Sequence, residues 1–133
     1  MRILVTGSGA GLGLAIATAL LAAGHEVLEY DLKQGDDVTN PPEHLAFAIG
    51  GELDGLINCA GINCNEWFED ITLASLAKVM NVNAFSFVHM TQELLEPLKA
   101  SQGFVLNIVS NASHMPMTSS LAYNASKAAA AMI

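Results

Sequence analysis

The chain opens with Ile3-Leu4-Val5, an uninterrupted apolar run of the kind that forms a strand buried on both faces. Glycines follow, and then Leu12 to Ala23, rich in Ala and Leu, predicts a helix closed by Gly24 at its C-terminus. Glu26 to Tyr30 reads as a second strand ending at Asp31. Residues 33 to 42 form a polar connection containing Asp36-Asp37 and Pro41-Pro42, with a short helix over Glu43 to Ala48. Leu56-Ile57 is a further buried strand, entered through Asp54-Gly55 and left through Ala60-Gly61. Thr72 suits an N-cap for a long helix running from Leu73 towards Leu95 or Lys99. Its apolar residues recur densely enough to predict burial on more than one side. Phe104 to Val109 reads as a strand, residues 111 to 120 as a loop, and Ser120 onward as a helix carrying four alanines at 128 to 131.

Strands alternating with helices predict an α/β fold: a doubly wound parallel sheet with helices on both faces, in one domain spanning 1–133. With 52% hydrophobic and only 14% charged residues, the composition is that of a globular chain with a substantial core. Five basic against thirteen acidic residues give a net charge of −8, which argues against a nucleic-acid backbone or an anionic membrane as partner. No apolar stretch reaches the ~20 residues of a membrane span. A faint signal-peptide character from Met1-Arg2 to Ala22-Ala23-Gly24 is opposed by the glycines between residues 7 and 13. Cys59 and Cys64, with His25, His44, His89 and His114 scattered, do not make a zinc site, so no metal is expected. The two cysteines read as reduced thiols in a cytoplasmic protein.

Gly7, Ser8, Gly9, Gly11, Leu12 and Gly13 lie between a strand and a helix, the context in which a glycine turn cradles a dinucleotide's phosphates. The plainer alternative is an ordinary glycine turn. Asp31 ends the second strand, where a carboxylate accepts hydrogen bonds from ribose hydroxyls and repels a 2′-phosphate. Only Lys33 offers a nearby cation, so NAD is expected over NADP.

Tyr123 and Lys127 are four residues apart on the last helix and share one face, about 6 Å apart along the axis. A phenol ordinarily titrates near pH 10, and a neighbouring ammonium favours its anion. Such a pair suits proton transfer to or from an alcohol or ketone, with the Ser110 hydroxyl holding the substrate oxygen. Taken singly, Tyr123 would be a helix-start aromatic and Lys127 a solvated residue. Ser113, Ser119 and Ser120 read as loop and capping residues, and His114 as a loop residue. Trp67, Phe68, Met115 and Met117 lie in loops expected to flank the cleft, hinting at an apolar substrate portion. Glu52, Glu66, Glu69 and Asp70 read as a solvated acidic surface.

Thr6-Gly7-x-x-x-Gly11-x-Gly13 together with Tyr123-x-x-x-Lys127 resembles the short-chain dehydrogenase/reductase family over nearly the whole chain. Asn58-Cys59-Ala60-Gly61 is similar to that family's Asn-Asn-Ala-Gly segment, which braces the sheet beside the cofactor. Cys59 there reads as a small apolar replacement, a redox switch being the other reading. The resemblance implies a Rossmann-like sheet of order 3-2-1-4-5, incomplete at its C-terminal edge, and Asp37-Val38 beside the adenine. It places the catalytic asparagine at Asn83, with Asn81 the competitor, and gives Lys127 the nicotinamide ribose. The implied activity is NAD-dependent oxidation of a small alcohol or reduction of a ketone. A non-catalytic nucleotide-binding fragment is the alternative. Typical members continue well beyond the Tyr-Lys pair, adding strands and a substrate lid. Without them Phe104–Val109 is an apolar sheet edge, which predicts marginal stability or association into a homo-oligomer.

Overall fold

The computed structural model describes residues 1–133. Its strands are short and their side chains alternate between two faces, so each strand feeds two layers of core. β1 (Arg2–Thr6), β2 (Glu26–Tyr30), β3 (Gly55–Asn58) and β4 (Phe104–Asn107) run parallel in the order β2-β1-β3-β4. On one face Leu4 and Leu56 pack with Met90, Leu94 and Leu98 from the helices before β4. On the other, Ile3, Val5 and Ile57 meet Ile16 and Leu20 of α1 (Gly11–Ala22). Helices on both faces make the sheet doubly wound, as the alternation of patterns predicts.

The order matches the last four places of 3-2-1-4-5, and no strand lies beyond β2. The reason is local. Asp31 accepts the Lys33 N–H at 2.9 Å and starts a single tight turn over Leu32–Gln34, closed by Gly35 at φ 96°. Asp37 then accepts both the N–H and the hydroxyl of Thr39 at 2.8 Å, and Pro41-Pro42 follows. These turn-forming contacts leave no run of free backbone to pair with β2. The helix expected over Glu43–Ala48 shortens to α2 (Leu45–Ala48).

The long helix is interrupted. α3 (Leu73–Met80) passes into a wide π-type turn at Asn81–Phe85, then α4 (Ser86–Glu93), and restarts as α5 (Leu95–Ser101). Pro97 explains the second break, because it cannot donate to the Glu93 carbonyl and crowds it. The helix is buried on more than one side, Met90 and Leu94 against the sheet and Ala84 and Phe87 against Ala130 of the last helix. Val79, Asn83, Ala84, Phe87 and Met90 are buried, while Leu73, Phe85 and Val88 are exposed. α6 (Leu121–Met132) packs against α3 and the wide turn. β4 is shorter than Phe104–Val109, since pairing ends where the Ile108 N–H reaches the Asn58 carbonyl at 2.9 Å. Phe104, Val105 and Leu106 are all partly open to solvent, so this edge is apolar and unprotected.

At the start of α3, Thr72 accepts the Ser75 N–H at 3.0 Å while Ser75 accepts the Thr72 N–H at 3.2 Å. This reciprocal cap satisfies two donors that the first helical turn leaves free. Thr72→Ala is expected to lower unfolding free energy by about 1 kcal/mol, measured by chemical denaturation.

Candidate active site

The chain leaves β1 towards β2 on one side and later crosses to β3 on the other, so a crevice opens between the ends of β1 and β3. The Thr6 hydroxyl binds the two strand ends together. It accepts the Cys59 N–H at 2.9 Å and the Ala60 N–H at 3.1 Å, and donates to the Ile57 carbonyl at 3.5 Å. Gly7 lies against Ala60 so closely that an added Cβ would sit 2.8 Å from the Ala60 Cα. A Cβ on Gly13 would strike the Gly7 carbonyl oxygen, so that glycine is what lets α1 dock on the loop. Gly9 presses on the Asp31 carboxylate, to which its N–H donates at 2.8 Å.

The crevice widens into a cleft of about 840 Å³. Of the expected cofactor residues, Gly7, Gly11, Leu12 and Gly13 line it from the first loop, and Asp31, Asp37 and Val38 from the β2 side. Ala60 and Gly61 line it from beyond β3. Ser8, Gly9 and Asn58 do not. Gly9 is turned to Asp31, and Asn58 donates from Nδ2 to Asn107 at 2.9 Å, bridging β3 to β4. Asp31 also accepts the Lys33 N–H, and the N–H groups of Lys33 and then Gly9 hold its carboxyl below the usual range. Two of its lone-pair positions stay free. Tyr30 reaches the same end. Burial, then Asp36 and Asp37, push its phenol up to about 12, so it stays neutral. The far wall is α3 through Ala74, Ala77 and Lys78, continued by Asn81 and Val82 of the wide turn; of these only Asn81 was singled out in the sequence, as the competitor of Asn83. Their helical spacing, one face of α3, was the available signal.

A second cavity of about 480 Å³ adjoins the first, with Leu12, Cys59, Gly61 and Ile62 lining both. Ser110, Tyr123 and Lys127 share it. Ser110 stands just beyond β4. Its Oγ accepts the Ala112 N–H at 3.1 Å and donates to Asn111 at 3.2 Å, capping a short turn. Lys127 is 4% exposed, donates to the Ile108 carbonyl at 2.8 Å, and lies over the Phe87 and Tyr123 rings at 5.7 and 5.8 Å. Burial pulls its ammonium below the usual lysine range, with the Cys59 thiol partly opposing. Burial pushes the Cys59 thiol up, Lys127 partly opposing, which favours the inert small residue over a reactive thiolate. Neither cysteine is in a disulfide.

Asn83 stands behind this cavity rather than in it. It is fully buried, accepts the Ile62 N–H and donates to the Ile62 carbonyl, both at 2.8 Å, and donates to Ser126 at 3.0 Å. Ser126 in turn donates to the Tyr123 carbonyl at 2.8 Å. The wide turn at Asn81–Phe85 thus ties the loop after β3 to α6. Of the flanking hydrophobes, Met117 lines the cavity, Trp67 and Phe68 a neighbouring groove, and Met115 is exposed. His114 contacts only Ser113 in its own loop, and Ser120 donates to Asn65 at 3.1 Å instead of capping α6. Glu66 departs from the acidic surface by accepting the Ser75 hydroxyl at 2.8 Å.

The cleft fits a dinucleotide on two counts. The first turn of α1 has neither a capping side chain nor an acid, so its N–H groups and positive end are unmatched. Gly11, at φ 53°, has nothing within 4 Å of an added Cβ, so the loop faces open space there.

The short chain dehydrogenase family model matches residues 26–133. The chain belongs to this family. Members bind nicotinamide cofactors. An NADPH-dependent 1-acyldihydroxyacetone phosphate reductase of Schizosaccharomyces pombe is 33% identical over 110 residues, covering 83% of this chain and 37% of that protein. Ipsdienol dehydrogenase of Ips pini is 31% identical over 160 aligned positions, covering 95% of this chain and 62% of that protein. An alignment longer than the chain's 133 residues means that this relative carries internal residues with no counterpart here. The abbreviated connection after β2 is consistent with that difference. A short-chain dehydrogenase from Streptomyces avermitilis has a structure matching at TM-score 0.83 and 28% identity, covering 96% of this chain and 56% of that one. The chain therefore spans roughly a third to two thirds of the length of these short-chain dehydrogenase relatives. No helix is long and apolar enough to cross a membrane.

The buried ammonium has a measurable consequence. Lys127 titrates lower in the folded chain than in the unfolded one, so between those two values the unfolded chain binds more protons and stability rises with pH. Denaturation midpoints measured upward from neutral pH are expected to climb relative to those of Lys127→Met as the ordinary lysine range is approached. Parallel curves would mean that the ammonium is not desolvated.

Proposed function

We propose that the chain provides the cofactor cleft and proton-transfer site of an NAD-dependent oxidoreductase that interconverts a secondary alcohol and a ketone. The observation that carries this reading is the cavity shared by Ser110, Tyr123 and Lys127, which abuts the dinucleotide cleft through Leu12, Cys59, Gly61 and Ile62. Gly11, Leu12 and Gly13 hold the pyrophosphate on backbone N–H groups, Gly7, Ser8 and Gly9 shape the loop that presents them, and Asp37 and Val38 flank the adenine. Asp31 takes the adenine ribose hydroxyls on its free lone pairs, and its negative charge disfavours a 2′-phosphate. Ala60 and Gly61 form the floor, with Asn58 bracing the strand beneath them through Asn107. Tyr123 and Lys127 meet the nicotinamide ribose. The bound nicotinamide supplies or accepts the hydride.

The chain's own residues handle the proton and the oxygen. Tyr123 gives its hydroxyl proton to the substrate oxygen in reduction and takes one in oxidation. The Lys127 ammonium, held by Ile108 against the tyrosine ring, favours the phenolate at that moment. Ser110 orients the oxygen and stabilises its partial charge. Asn83 positions both walls, since one side chain fixes Ile62 and, through Ser126, the turn of α6 that carries Tyr123. In this reading residues 1–133 form one NAD-binding domain of a cytoplasmic, homo-oligomeric protein.

A second reading is a nucleotide-binding chain without catalysis. Ser110 Oγ is engaged within its own turn, and the Lys127 ammonium is engaged by Ile108. Fluorescence titration with NADH and NADPH, paired with a ketone-reduction screen, separates the two. The proposal predicts tighter NADH than NADPH binding, turnover of at least one ketone, and about a 10²–10⁴-fold loss of turnover in Tyr123→Phe with NADH affinity retained. Binding without turnover favours the second reading, and turnover unaffected by Tyr123→Phe removes the mechanism.

A further inference from the structure

The loop at residues 66–71 and the segment 116–125 enclose a groove of about 480 Å³ beside the reaction-side cavity, and Met117 lines both. Polar ties fix its walls. The Asn124 side chain clamps Met117 at both backbone groups, accepting its N–H at 3.2 Å and donating to its carbonyl at 2.9 Å. The Glu66 N–H donates to the Ser119 carbonyl at 3.0 Å, and the Glu66 carboxylate accepts the Ser75 hydroxyl of the α3 cap at 2.8 Å. Within this frame the apolar groups stay in solvent: Trp67 is 62% exposed, Phe68 78%, Met117 43% and Leu121 40%. These bonds fix the backbone on both sides of the groove, and the apolar side chains between them keep surface open to a guest. Glu66 is the one ionisable group on the lining, and Ser75 already engages it. The groove therefore selects for a neutral, apolar guest.

We propose that this groove binds the hydrocarbon arm of the substrate, so that the substrate class is a ketone or alcohol bearing a long, uncharged aliphatic chain. The proposal rests on the redox reading for the placement of the substrate oxygen beside Tyr123. Asn124 follows Tyr123 on the first turn of α6, so an arm leaving that oxygen meets Met117 as the partition between the two spaces. Methionine is unbranched, with three rotatable bonds, and is the side chain best able to yield there. The size also fits a small molecule. Ligand pockets run from about 300 to 1,000 Å³, and the groove's 480 Å³ lies within that range.

Trp67 is the chain's only tryptophan and reports on the groove directly. Its emission is followed while the chain is titrated with 2-butanone, 2-hexanone and 2-undecanone, and NADH binding is measured in parallel. The expected result is a saturable blue shift whose dissociation constant falls about tenfold or more from 2-hexanone to 2-undecanone. Leu121→Asp puts an acid into the first turn of α6, where the helix dipole favours it, and so spares the fold. It is expected to weaken 2-undecanone about tenfold or more while leaving NADH binding unchanged. Equal affinity for short and long ketones, no response to any ketone, or parental 2-undecanone affinity in Leu121→Asp would overturn the proposal. So would a blue shift that grows with protein concentration alone, since a second copy would then cover the groove. A chain-length trend that survives with NADH binding absent supports the groove and removes the nucleotide reading instead.

Discussion

Two backbones meet at the ends of β1 and β3 more closely than side chains allow, and one hydroxyl keeps them there. Thr6 accepts two successive N–H groups from the loop after β3, while Gly7 lies against Ala60 and Gly13 against Gly7. An added methyl at Gly7 or Gly13 would force these segments apart. Because they cannot separate, the first turn of α1 stands with its N–H groups facing the crevice, and the cleft acquires its floor. The acid at the end of β2 is then locked onto the same loop through Gly9. The cofactor geometry follows from that contact before any ligand contributes.

The reaction side depends on the same contact at one remove. Gly61 follows Ala60, and a Cβ there would lie 3.4 Å from Asn83 Oδ1 and 3.8 Å from Lys127 Nζ. These are ordinary contact distances, so the loop runs directly against the buried amide and the buried ammonium. The wide turn at Asn81–Phe85 gives Asn83 the direction it needs to hold Ile62 and Ser126 together, a recurring use of such turns. Charge is distributed to match. The chain carries −8 overall, yet three of its five basic residues border the site: Lys33 on the Gly9 carbonyl, Lys78 on the cleft wall, and Lys127 in the cavity. Local cations and backbone dipoles offset a globally unfavourable field at the place where an anionic cofactor would bind.

The parallel sheet and its strands were legible because buried strands between helices leave continuous apolar runs such as Ile3-Leu4-Val5. The glycine loop was legible because its spacing lies between a strand and a helix, and the pairing of Tyr123 with Lys127 because four residues return a helix to the same face. Other features lay in tertiary contacts. Burial of the long helix on more than one side, expected from its composition, is met by the sheet and by α6, and Leu73, Phe85 and Val88 stay exposed. The π-type turn has no local signature, since it exists to let Asn83 reach residues far away in sequence. The α3 wall of the cleft was hidden because Ala74 and Ala77 carry no chemistry of their own. The Asn58 segment read as a brace of the sheet and Asn58 bonds to Asn107, while Gly9 of the phosphate loop gives its N–H to Asp31.

The account stands on convergence: backbone amides at one end of the cleft, a phenol and an ammonium at the other, and a single dinucleotide spanning them. A crystal structure of the chain grown with NAD+ tests this most directly. The predicted result is pyrophosphate on the N–H groups of the first turn of α1, with the nicotinamide ribose within hydrogen-bond reach of Tyr123 and Lys127. A dinucleotide bound with its nicotinamide turned away from Tyr123, outside the cavity that holds Ser110, would contradict it.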